Sequence, residues 1–307
     1  MRKMVLFLAL ASLVAATQAV AQAREDGVWR VRGDNGEIVH VLPDQASAEG
    51  AEHRFGFQAP PTHENGYSVF SASYGSVPGQ MNDHGGAVVS NAQFQPIFYN
   101  QATANALRTG IDNFLTNFSG SDPGMKVITQ YGKTGNAISA TLGHVADFVD
   151  NQSAPRKISD SQLQSYLSGL FNAGRIAVST NTIYGLYLPQ GTQSTMGQYA
   201  SCRNYCGYHS SYTYNGQTIL YAVLPYNDCS GCSLSGKTVL DMATIVTSHE
   251  IREAITDPVN AWWESASGYE ADDKCAWHNL YQQTGGAWVQ PEYSNALGGW
   301  PRGCVTP

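Results

Sequence analysis

Along this chain the spacing of apolar positions changes repeatedly, and each change marks an element. GAVVSNAQFQPIFYN reads as strand, and QATANALRTGIDNFLTNF carries apolar residues at helical spacing. KVITQY reads as a further strand. A helix is predicted from about Ser159, in the cap-like pair Ser159-Asp160, to Ala173, where Gly174 ends it. IYGLYLP follows as a strand, and YTYNGQTILYAVLPY as a hairpin turning at Asn215-Gly216. Upstream, VWRVRGDNGEIVHVLP reads as a small hairpin turning at Asp34-Asn35-Gly36, followed by a stretch rich in Pro, Gly and Ser. Residues 24–84 are therefore read as an accessory segment with a linker. Residues 85–307 are read as one α/β domain with a mixed sheet and an edge strand near ILYAVLPY.

The most informative pattern is TVLDMATIVTSHEIREAITDP. Thr238 is placed to cap a helix, with Asp241 three residues on, and Pro258 disfavours helix at Asp257. The prediction is a helix over 239–256. At about 100° per residue, Val239, Met242, Ala243 and Val246 form one stripe, which His249, Glu250 and Glu253 continue. Asp241, Ser248, Arg252 and Thr256 fall on the opposite side, where solvated charge is expected. The polar trio thus stands where the periodicity calls for burial, and a buried carboxylate is costly unless it is paired or holds a metal.

His249 and Glu253 lie about 6 Å apart along such a helix, so both reach one ion. Glu250, beside the first ligand, is then placed to act on water. This is the logic of the His-Glu-x-x-His peptidase helix with Glu in place of the second His, and zinc accepts carboxylate oxygen. Asp257 is about 12 Å from His249 along the axis, too far for shared coordination. Glu270 and Asp273, just before Cys275, are the expected further ligands, singly or together. His209 is read as an ordinary histidine of a cysteine-stapled loop, or as an oxyanion donor if the fold brings it near.

Composition bears on compartment. Residues 1–23 begin with Arg2 and Lys3, run through VLFLALASLVAA and end in Ala21-Gln22-Ala23, the pattern of a secretory signal peptide. The apolar run is too short to span a bilayer, and no later stretch is apolar enough to do so. The formal net charge of −7, with no basic stripe, argues against nucleic acid. The six cysteines, Cys202, Cys206, Cys229, Cys232, Cys275 and Cys304, lie in the exported part. Local spacing favours Cys202 with Cys206, Cys229 with Cys232, and Cys275 with Cys304. The rival is a structural zinc site on the first four.

HGGAVVSNAQFQPIFYN, SDSQLQSYLSGLFNAGRIAV, Cys202 to Cys206 with Gly207-Tyr208-His209, SHEIREAITDPVNAWW and YEADDKCAW occur in that order. Over about 84–307 the chain resembles the phosphate-induced protein 1, or EXORDIUM-like, family. Similar proteins are secreted factors of plant cell walls linked to growth, and they also occur in bacteria. By position, the family's His-Glu helix falls on His249 and Glu250, its following acid on Glu253, and its Glu-x-x-Asp-x-Cys element on Glu270, Asp273 and Cys275. The chain departs from that pattern at Cys229-x-x-Cys232, one residue short, and at Asp257, where plant members tend to have Asn.

The combined expectation is a zincin-like α/β domain, stapled by disulfides and exported to the periplasm or medium. It would hold Zn2+ on His249, Glu253 and an acid from 270–273 and hydrolyse peptide or peptide-like bonds with Glu250 as general base. The competing expectation is a non-catalytic cell-wall or carbohydrate-binding factor, whose Trp262, Trp263, Trp277 and Trp288 would stack on sugar rings and whose metal, if any, is structural.

Overall fold

A computed structural model describes residues 30–34, 38–48, 62–64, 67–71, 80–120, 122–265, 268–296 and 303–307. The expected signal peptide and Asn35-Gly36 of the first hairpin lie outside these. The main sheet contains β1 (Arg30–Arg32), β2 (Ile38–Pro43), β3 (Gln93–Phe98), β4 (Gly143–His144), β5 (Phe148–Val149), β6 (Thr182–Tyr187), β7 (Tyr205–Tyr214) and β8 (Gln217–Leu224). Its order is β1-β2-β7-β8-β6-β3-β4, with β5 also pairing β3. The sheet is mixed: β8, β6 and β3 run parallel, whereas β7 pairs antiparallel with both β8 and β2.

Besides a helical turn at 45–48, the α-helices among the described residues are α1 (Gln101–Phe118), α2 (Pro123–Val127), α3 (Asp160–Asn172) and α4 (Val239–Thr256). Each starts on a side-chain cap that satisfies otherwise orphaned N–H groups: Asn100, Asp122, Ser159 and Thr238 respectively. Leu107, Ile111 and Phe114 of α1 share a buried cluster with Val246 and Ile255 of α4 and with Phe94, Ile183 and Ala222 of the sheet. Leu163, Leu167 and Leu170 of α3 pack with Ile97, Tyr184 and Tyr221 on the other face. Every residue of β6 is buried, as befits a central strand covered on both sides.

Four expectations are corrected here. KVITQY is not a strand: Asp122 caps Met125 N–H and Pro123 sits in the first turn, so α2 forms and passes into a short 3₁₀ turn at Ile128–Tyr131. ILYAVLPY is not at an edge, because β8 lies between β7 and β6. The hairpin expected to be accessory is what makes β7 interior too: β2 pairs with it, and Val39, Val41 and Leu42 are buried in the core. The boundary expected at 84/85 therefore does not divide the sheet. Finally, the disulfides are Cys202–Cys229, Cys206–Cys232 and Cys275–Cys304, so the two local pairings fail and the third holds. The β7–β8 hairpin doubles the chain back and carries 229–232 beside 202–206. With all six sulfurs bonded, the tetracysteine zinc site is set aside. No helix among the described residues is long and apolar enough to cross a membrane.

Candidate metal centre

Helix α4 begins on a reciprocal cap. Thr238 Oγ1 accepts the Asp241 N–H at 3.1 Å and the Asp241 carboxylate accepts the Thr238 N–H at 2.8 Å. It ends where Asp257 N–H bonds the Glu253 carbonyl at 2.7 Å and Pro258 follows. From Met242 to Thr256 every residue is buried. The face of Ser248, Arg252 and Thr256, expected to be solvated, is covered by residues around 272–292. Gln290 N–H donates to Ser248 Oγ at 3.2 Å, and Arg252 donates to the Gln290 carbonyl at 2.7 Å and to Asp272 at 2.6 Å. Arg252 Nε also lies 3.2 Å from Glu292. A polar residue meeting a distant irregular segment leaves no periodic signal, which is why the helix pattern misassigned this face.

His249, Glu253 and Asp273 meet as expected. His249 Nε2 lies 2.9 Å from Glu253 Oε2 and 3.6 Å from Asp273 Oδ1. Each carboxylate is fixed through its other oxygen: Glu253 Oε1 accepts the Asp273 N–H at 2.9 Å, and Asp273 Oδ2 accepts the Glu270 N–H at 3.0 Å. The inward atoms, His249 Nε2, Glu253 Oε2 and Asp273 Oδ1, are buried and have no hydrogen-bond partner. Although Nε2 and Oε2 are close, neither bonds the other. Both are turned toward a common point, with all three ligand atoms within 4.8 Å of one another. Behind the ring, Gln290 lies 3.1 Å from His249 Nδ1. The same Gln290 side-chain nitrogen donates to the Asp272 carbonyl at 2.6 Å, so the amide joins the His249 ring to the loop that carries Asp273. The Cys275–Cys304 bond ties the 270–275 loop to strand 303–306, which holds Asp273 against the helix.

Glu250 stands one step round the helix. Its Oε2 is 3.4 Å from His209 Nδ1, which is also 3.8 Å from Glu253 Oε2. His209 belongs to β7 and is only 5% exposed, so it is part of the cluster rather than an ordinary loop residue. Both Glu250 oxygens and His209 Nδ1 lack hydrogen-bond partners. Glu270 does not join the His249 triad. It turns to the other side, with Oε2 2.5 Å from His40 Nδ1 and Oε1 3.6 Å from His209 Nε2. His40, from β2, and Asp257 were missed as site residues. A lone His in a strand carries no spacing signal, and Asp257 was measured only against His249.

The electrostatics are one-sided. Burial first, and then neighbouring carboxylates, push Glu250, Glu253, Glu270 and Asp273 well above the ordinary carboxylate range. Burial pushes His249 down to about 4 and His209 down to about 3. The cations nearby are already engaged: Arg252 with Asp272 and Glu292, and Lys274 with Glu264 at 3.0 Å. Protons or a cation must therefore neutralise the cluster. Neither Glu250 oxygen has a hydrogen-bond partner, and the nearest ring nitrogen, His209 Nδ1, stands 3.4 Å away. A neutral imidazole and two carboxylates match a divalent cation in both charge and donor type, so the residues fit zinc.

At the edge of the cluster, His40, His209 and Asp257 line a cavity of about 240 Å³ together with Val39, Asn260 and Trp263, among others, and the fully buried His249, Glu250, Glu253 and Asp273 lie behind them. Comparison of the chain with protein-family models, with curated proteins and with solved structures gives no match.

Proposed function

We propose that the protein is a secreted, zinc-dependent hydrolase of peptide or peptide-like bonds, with a zincin-like domain and His249, Glu253 and Asp273 as ligands. The observation that carries this is the division of labour within the two carboxylates. One oxygen of each is pinned by a loop N–H, and the other faces His249 Nε2 with no partner. When bound, the ion supplies Lewis acidity toward a water and a substrate carbonyl. Glu250 takes the proton of the attacking water and delivers it to the leaving amine. Burial and Glu253 make its carboxylate a strong acceptor, an effect the cation moderates. His209 borders the reacting space opposite α4.

The three disulfides and the family resemblance support export. A cavity of about 240 Å³ favours a chain end or one or two side chains over a folded substrate. The carbohydrate-binding alternative draws less support, because three of its four tryptophans are already engaged. Trp263 stacks on His84 at 3.6 Å, Trp277 donates to the Pro43 carbonyl at 3.1 Å, and Lys237 lies 3.4 Å over Trp288.

The test is elemental analysis of protein purified without chelator, paired with hydrolysis of a mixed peptide library by wild type and Glu250→Gln. The variant is expected to keep its zinc and to lose turnover by about 10²–10⁴-fold. Full activity in Glu250→Gln would sink the mechanism, and absence of metal from the wild type would sink the site.

A further inference from the structure

We propose that a second divalent cation binds at the mouth of the cluster, on His40, Asp257 and Glu270. Ligand atoms of these three residues lie within 4.8 Å of one another, and none of them serves the His249 triad. The independent sign of a ligand is Glu270. Its side chain is completely buried, yet both carboxylate oxygens lack hydrogen-bond partners. They point to His40 and His209, at 2.5 and 3.6 Å.

Three separate elements build the set. The β2–β7 register places His40 opposite His209. The end of α4 presents Asp257, one of whose oxygens is held by the Ala261 N–H. The loop fixed by Cys275–Cys304 supplies Glu270. One imidazole and two carboxylates suit zinc or another borderline cation. His40 is 13% exposed and lines the cavity with Asp257, so this ion exchanges with solvent more readily than the deep one. It stands where an incoming substrate oxygen first meets the site.

The experiment is Zn2+ binding by chelator-stripped wild type, His40→Ala, Asp257→Asn and Glu253→Gln, read by equilibrium dialysis with elemental analysis. Two equivalents are expected for the wild type. One is expected for each variant, with the lost ion's affinity down at least about tenfold. A single wild-type equivalent lost only in Glu253→Gln overturns the second site and leaves the deep one standing. A single equivalent lost only in His40→Ala and Asp257→Asn supports this proposal and removes the deep ion. No binding at all removes both. If the mouth variants fail to fold, anomalous difference density in Zn2+-soaked wild-type crystals decides: a peak among His40, Asp257 and Glu270 supports the site, and its absence overturns it.

Discussion

Gly207 of β7 faces Val246 and Glu250 of α4. A Cβ there would stand 2.4 Å from Val246 Cγ1 and 2.8 Å from Glu250 Oε1, so only glycine lets strand and helix approach this closely. Gly207→Ala is expected to cost about 1–3 kcal/mol in urea unfolding and to lower turnover by displacing Glu250. Gly169→Ala in α3, where a Cβ meets nothing within 4 Å, should be neutral or stabilising. Equal effects at the two glycines would contradict this packing. At this scale the sequence was informative where the donors share a helix. His249, Glu250 and Glu253 follow from spacing alone, and Asp273 from its place beside Cys275. His40 and Asp257 were not legible as site residues, and His209 only as an oxyanion donor should the fold bring it near, because strand pairing and a helix end bring them together from distant segments.

Helix α4 was predicted residue for residue at 239–256, cap and stop included, yet its environment was misread. A helix polar on one face is ordinarily solvated there. Here Arg252 is instead completely buried, between Asp272 and Glu292, with Asp122 at 3.7 Å. Burial opposes its charge, but these carboxylates outweigh it and hold the guanidinium above its usual range. Arg252→Ala leaves several buried acids without a cation and is expected to cost about 3–5 kcal/mol in denaturant unfolding. A change below about 1 kcal/mol would mean that the pairs contribute little. The cysteines teach a related lesson. The turn at Asn215-Gly216 was read correctly, and the register it sets already places 202–206 near 225–232. Pairing by shortest loop ignored that hairpin. Strand order was harder to read, since nothing local in β2 says that it joins β7.

For the molecule as a whole, the account rests on a cation rather than protons neutralising the buried cluster, and pH separates the two. Without metal, Glu250, Glu253, Glu270 and Asp273 have folded-state values raised by burial above their ordinary 4.5 or 3.8. The folded state then holds more protons than the unfolded one, and stability falls as pH rises through the folded values. His249 and His209 act oppositely. With folded values pushed down to about 4 and about 3 from 6.5, they cost stability only as pH falls below 6.5. Above pH 6.5 these two histidines add no slope, and the raised carboxyl groups of the cluster make stability fall. With zinc bound its carboxylate ligands are already ionised, and their share of the proton uptake disappears. The decisive measurement is thermal unfolding of zinc-loaded and chelator-stripped protein from pH 6.5 to about 8.5, the window above the ordinary histidine value. The prediction is a melting temperature that falls more steeply with pH in the stripped protein than in the loaded one. Coincident curves would contradict the claim that a cation holds this site together.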